Sequence, residues 1–221
     1  KVDLSNKAFP FASWQQIDLG YATVIANRMT YVGELGWELV VPVEFTVGVY
    51  EDLMLAGADS GIRDAGYYAL EGLRLEKGFR AWSRELTPDI SPFQAGLGFT
   101  VDFEKPCGFV GKEALLLAKI NPEHMRTRVV QLVLDDDGPQ LWGGEAVLCD
   151  GIEIGEVRSA AYGHSLGASV ALCHLTAKER ITVGFLKMHK FEIDLAGVKL
   201  SAKVCLKSPY DPASERPKAD G

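Results

Sequence analysis

Met29-Thr30-Tyr31-Val32-Gly33-Glu34-Leu35-Gly36-Trp37-Glu38-Leu39 sets a phenol and a carboxylate on either side of two glycines. Tyr31–Val32 and Trp37–Val41 read as short apolar strands, with Gly33 and Gly36 freeing the backbone for a turn between them. A hairpin of this kind aims Tyr31 and Glu38 into one pocket. A carboxylate accepts two parallel hydrogen bonds from an N–H/NH2 edge, and a neighbouring aromatic ring supplies a flat wall. Glu34, between the glycines, is expected to stabilise the turn. Glu38 also suits solvent, because its strand neighbours Trp37 and Leu39 are apolar, and Tyr31 also suits a strand core.

Working outward, residues 17–41 read as strands that Pro42 stops. Residues 44–57 read as an amphipathic helix, with Phe45, Val49, Leu53 and Met54 on one face. A second helix is expected from Tyr67 to Lys77, closed by Gly78 as its C-cap. Its end, Arg74-Leu75-Glu76-Lys77, reads as a solvated face with intrahelical pairs. Phe79 and Trp82 read as core. Residues 83–108 form a long Pro- and Gly-rich loop of the kind that is functional or packed along a cleft. Helix returns over 111–119, and Asn121-Pro122 marks a boundary.

Beyond it come short β-prone runs: 128–134, 146–149, 152–157, 168–175, 181–186, 191–195 and 198–206. Turns such as Asp150-Gly151 and Ala196-Gly197 separate them, a spacing that predicts a small antiparallel barrel or sandwich, of which the barrel is the reading adopted. The fold class is therefore α+β: an α+β unit over 1–122, then a β-barrel over 123–221 whose polar tail after Asp211 frays.

Four motifs in order resemble the aminomethyltransferase (glycine-cleavage T-protein) family. They are Tyr31-Val-Gly-Glu-Leu-Gly-Trp-Glu38, Leu73-Arg-Leu-Glu-Lys-Gly-Phe-Arg-Ala-Trp82, Phe109-Val-Gly-Lys-Glu-Ala-Leu115 and Lys207-Ser-Pro-Tyr210-Asp-Pro212. Their form is similar to the branch fused to sarcosine and dimethylglycine dehydrogenases. The resemblance implies a tetrahydrofolate site in which Glu38 holds the 2-amino-pyrimidinone edge of the pterin, Tyr31 flanks it, and an aromatic at Tyr210 closes it. It implies that the chain is the C-terminal folate-binding part of such an enzyme, accepting the one-carbon unit of an oxidised N-methyl amine. FAD then belongs to a missing N-terminal half, which is the expected partner beside folate itself. The family's catalytic Asp lies upstream, so no catalytic residue is assigned. One departure stands out. Leu70 occupies the position of a folate-contacting arginine in the amino-methyl-transferring members, which puts simple aminomethyltransferase activity in doubt; a stand-alone aminomethyltransferase-like or regulatory relative is the alternative.

Composition narrows the classes. With 221 residues, 47% hydrophobic, the chain can bury a core without disulfides or metals. A net charge of −7 spread along its length, with no long basic run, argues against nucleic acid and for solubility. Cys107, Cys149, Cys173 and Cys205 lack Cys-x-x-Cys spacing, so reduced structural thiols and no metal centre are expected. No apolar run approaches a membrane span. The expected location is intracellular: cytoplasmic in a bacterium, the mitochondrial matrix in a eukaryote. No Gly-x-Gly-x-x-Gly element is present for a Rossmann turn.

Gly163-His164-Ser165-Leu166-Gly167 has the form of a hydrolase nucleophile elbow, which makes a serine hydrolase using Ser165 the rival of another class. An elbow needs a buried strand before it and a helix after it. The run before it is polar and alternating, and although Glu179, His174 and His189 follow, too little chain is left to build the strands that normally carry the acid and histidine.

Overall fold

The computed structural model describes residues 2–220. Two compact units divide the chain, residues 1–70 with 211–221, and residues 71–210.

In the first unit β1 (Trp14–Leu19), β2 (Ala22–Asn27) and β3 (Glu38–Val40) form one antiparallel sheet in that order. Alternation in β2 buries Ala22, Val24 and Ala26. Ala22 and Val24 pack with Val49 of helix α1 (Thr46–Ala56), flanked by Ile17, Leu19 and Leu39. Of the expected apolar face of α1 only Val49 is fully buried, and Phe45 and Leu53 are exposed.

The expected hairpin differs in its first strand. Glu38 pairs with Asn27, so β2 is the partner of β3, and residues 28–37 are an irregular connection. Thr30 explains the break. Its Oγ accepts the backbone N–H groups of Val32 at 3.2 Å and Gly33 at 2.9 Å, replacing ladder bonds with a local turn. Gly33 sits at φ +81°, whereas Gly36 is not in the left-handed region.

The C-terminal tail was expected to fray, but it carries specific bonds within this unit. Asp211 accepts the N–H of Glu215 at 3.0 Å, Pro217 is buried, and the Ala219 carbonyl accepts from Arg28 at 2.7 Å.

Helix α2 (Tyr67–Glu76) ends at Gly78, where φ is +70°. Phe79 N–H donates to the Arg74 carbonyl and Gly78 N–H to that of Leu75, the two bonds of a Schellman ending. After the long loop comes α3 (Lys112–Ile120), close to expectation.

Six strands then close a barrel: β4 (Thr127–Leu134), β5 (Ala146–Cys149), β6 (Ile152–Gly163), β7 (Ala168–Thr176), β8 (Phe191–Leu195) and β9 (Val198–Cys205). Pairing of β4 with both β7 and β9 removes the open edge. Val130, Leu132, Cys173, Leu175 and Ile193 fill the interior. On the outer face Val129, Val170 and Leu172 receive Leu75 of α2. The run at 181–186 is not a strand. Thr182 caps a short helix, α4 (Val183–Met188), by accepting the Phe185 N–H at 3.1 Å, and the helix turns Phe185 and Leu186 into the core.

Candidate functional site

Arg28 sets the frame on which Tyr31 and Glu38 stand. Its side chain is wholly buried. Nη1 donates to the Leu4 and Phe9 carbonyls at 3.0 and 2.9 Å, and Nη2 to Ala219. The guanidinium lies 5.5 Å from the Trp37 ring centroid, and Phe9 packs on the same indole at 6.3 Å. The 28–37 connection is thus held at both ends, by Arg28 at its start and Trp37 at its close. Nothing in the local sequence marks Arg28, because its partners lie far away along the chain.

The two glutamates of the motif have separate fates. Glu34 accepts from Arg216 Nε at 2.6 Å, tying the turn to the C-terminal tail. Glu38 is exposed at the start of β3, and among the described residues its carboxylate has no hydrogen bond or ion pair inside the protein. Tyr31 is 41% exposed in the bend before it. Tyr31 therefore lies in the connection that leads into β3, and Glu38 opens that strand. Tyr210 ends the second unit, half-buried. Its N–H donates to Ser208 Oγ at 3.1 Å, and that hydroxyl donates to the Glu76 carbonyl at 2.6 Å.

The charged helix end is not a solvated face. Arg74, Glu76 and Lys77 are buried. Arg74 bridges Glu71 at 2.7 Å and Glu85 at 3.2 Å and also donates to the Phe79 carbonyl. Ser159 Oγ and the Ala81 N–H complete the shell of Glu85. Such a cluster is tolerable in a core only because every charge has close partners. Trp82 also departs from expectation, being 81% exposed.

Ser165 lies in the turn between β6 and β7, a strand–turn–strand setting and not an elbow. Its N–H donates to Glu76 Oε1 at 2.6 Å and its hydroxyl to Oε2 at 3.2 Å. Its hydroxyl partner is thus a buried carboxylate and not a histidine base.

Cys149, Asp150 and His189 come together, with one potential ligand atom from each within 4.8 Å of the others. The carboxylate and imidazole already satisfy each other, His189 Nδ1 to Asp150 Oδ2 at 2.6 Å, while Lys190 N–H binds Oδ1. The pair fastens the β5–β6 turn to the strand following α4. Among the described residues no helix is long and apolar enough to cross a membrane.

The GCVT N-terminal domain matches residues 1–105, and the glycine cleavage T-protein C-terminal barrel domain matches residues 127–211. The chain belongs to the glycine-cleavage T-protein family. Human mitochondrial sarcosine dehydrogenase is 38% identical over 98% of this chain, which corresponds to 24% of that enzyme. Mouse mitochondrial dimethylglycine dehydrogenase is 36% identical over 99% of the chain and 25% of its own length. The chain thus spans about a quarter of the length of these relatives. The crystal structure of aminomethyltransferase T from Bartonella henselae superposes with a TM-score of 0.72 at 25% identity, over 88% of this chain and 51% of that one. For the T-protein family the observed fold is the expected one, an α+β part followed by an antiparallel barrel.

Proposed function

We propose that this T-protein-family chain binds tetrahydrofolate, as the acceptor of the one-carbon unit from an oxidised N-methyl amine. Membership of the family and the similarity to sarcosine and dimethylglycine dehydrogenases support this reading. The observation that carries it is the contrast between two glutamates. Glu34 is engaged by Arg216, while Glu38 is presented on a braced strand with both oxygens free to accept. That pair of acceptor oxygens fits an N–H/NH2 edge, and a ring at Tyr31 fits its face.

Bound there, tetrahydrofolate supplies the amine that takes up the one-carbon unit. Glu38 orients the pterin, Tyr31 limits its tilt, and Tyr210 is the proposed closing aromatic. The contribution of these residues is positional, holding a nucleophile where the one-carbon unit arrives and keeping water away. The proposed partner is an FAD-bearing segment of the same parent protein, which performs the amine oxidation.

Glu38→Gln keeps the size but turns one acceptor into a donor. Charge-assisted bonds are strong enough that tetrahydrofolate affinity of the full-length protein, read by calorimetry, should fall about tenfold or more. Amine oxidation with an artificial electron acceptor should stay nearly unchanged. Unaltered folate affinity would remove Glu38 from the site, and equal loss of both activities would make its role structural.

A further inference from the structure

The second unit contains a cavity of about 280 Å³ lined by Phe93, Gly96, Lys119, Met125, Arg128 and Arg180 among others. Three cations converge on it from different elements: Lys119 from α3, Arg128 from β4 and Arg180 from the segment after β7. Among the described residues none of the three forms an ion pair. Arg126, two residues from Arg128, does, binding Glu123 at 3.0 Å. The Nε of Arg128 is buried without a hydrogen-bond partner, and its Nη1 reaches only the Ile181 carbonyl at 3.5 Å. Burial and the nearby Arg180 charge both hold the Arg128 guanidinium below its ordinary pKa. Like charges drawn together with a donor left bare are costly, and a bound anion relieves both costs at once.

The walls leave room for one. A Cβ on Gly96, which sits at φ +74°, would come within 2.9 Å of Arg80 Nη2. A Cβ on Gly98 would press on the Phe93 ring at 2.8 Å. Glycine at both positions lets the backbone pass close to the Arg80 guanidinium and the Phe93 ring without filling the space beside them. Guanidinium forks match planar carboxylates and phosphates, and Phe93 and Met125 offer an apolar side to a small organic skeleton.

We propose that this cavity is a binding site for a small organic anion bearing a carboxylate or phosphate group, held by Arg128 and Arg180 with Lys119 at its rim.

The test is thermal unfolding of the protein with inorganic phosphate or with citrate, each at constant ionic strength against chloride. The melting temperature should rise saturably with one or both. Saturation by phosphate alone marks a phosphate ligand, and saturation by citrate alone marks a carboxylate. Arg180→Gln is exposed and should leave the fold intact while weakening the apparent affinity about tenfold. Arg128→Met should do the same, and Arg126→Gln should leave it unchanged. No rise above matched chloride, or an equal rise in wild type and Arg180→Gln, overturns the proposal.

Discussion

Glu76 and Ser165 lie 89 residues apart in the chain, yet one carboxylate accepts both the N–H and the hydroxyl of the serine. Glu76 Oε1 also takes the Leu166 N–H at 3.0 Å. The buried end of α2 therefore shapes the β6–β7 turn, and the Gly-His-Ser-Leu-Gly sequence answers to that carboxylate. Purified protein should not label with a fluorophosphonate probe, and stoichiometric labelling at Ser165 would restore the hydrolase reading. Glu76→Ala removes a buried carboxylate and leaves three donors of a partly exposed turn to find water, and should cost about 2 kcal/mol in urea unfolding. A loss below about 0.5 kcal/mol would show that the turn holds without it.

Arg28 joins the N-terminal segment, the Tyr31–Glu38 connection and the tail through three carbonyls. Arg28→Met keeps much of the volume but removes every one of those bonds. Limited proteolysis should then cut first within residues 211–220, which should resist cleavage in the wild type. An unchanged digestion pattern would assign the tail's order to other bonds, such as Arg216 to Glu34.

Burial holds His174 below the ordinary histidine pKa, partly opposed by the hydrogen bond from its Nε2 to the Glu85 carbonyl at 3.0 Å. With its folded pKa below its unfolded one, the unfolded chain takes up the proton first as pH falls. The contribution of His174 is therefore complete above pH about 6.5 and is lost as pH drops from there through the folded value. Unfolding free energy should decline over that interval, and His174→Gln should flatten part of the decline. Identical slopes in both proteins would exclude this histidine as the source.

Amino-acid sequence alone was enough for features carried by neighbours along the chain. Alternating apolar runs between Gly-containing turns marked five of the barrel strands nearly to the residue and the start of β6, because strand periodicity is local. Gly78 marked the end of α2 for the same reason: a left-handed residue after a helix favours glycine wherever the fold places it. The four family motifs likewise survive as contiguous residues.

Tertiary structure decided the rest. Arg74-Leu75-Glu76-Lys77 has the pattern of a solvated helix end, and Glu85, brought back by the following loop, joins Glu71 in making the burial of Arg74 tolerable. Residues 181–186 are apolar enough for a strand, and Thr182 as N-cap with Phe185 and Leu186 turned inward makes them helix. The motif already separates Glu34, between its glycines, from Glu38, but the partner that holds Glu34 is Arg216, 182 residues away, and only the fold supplies it. Periodicity is a property of adjacent residues, whereas the fate of a charge is set by whichever distant group the folded chain brings within hydrogen-bonding distance.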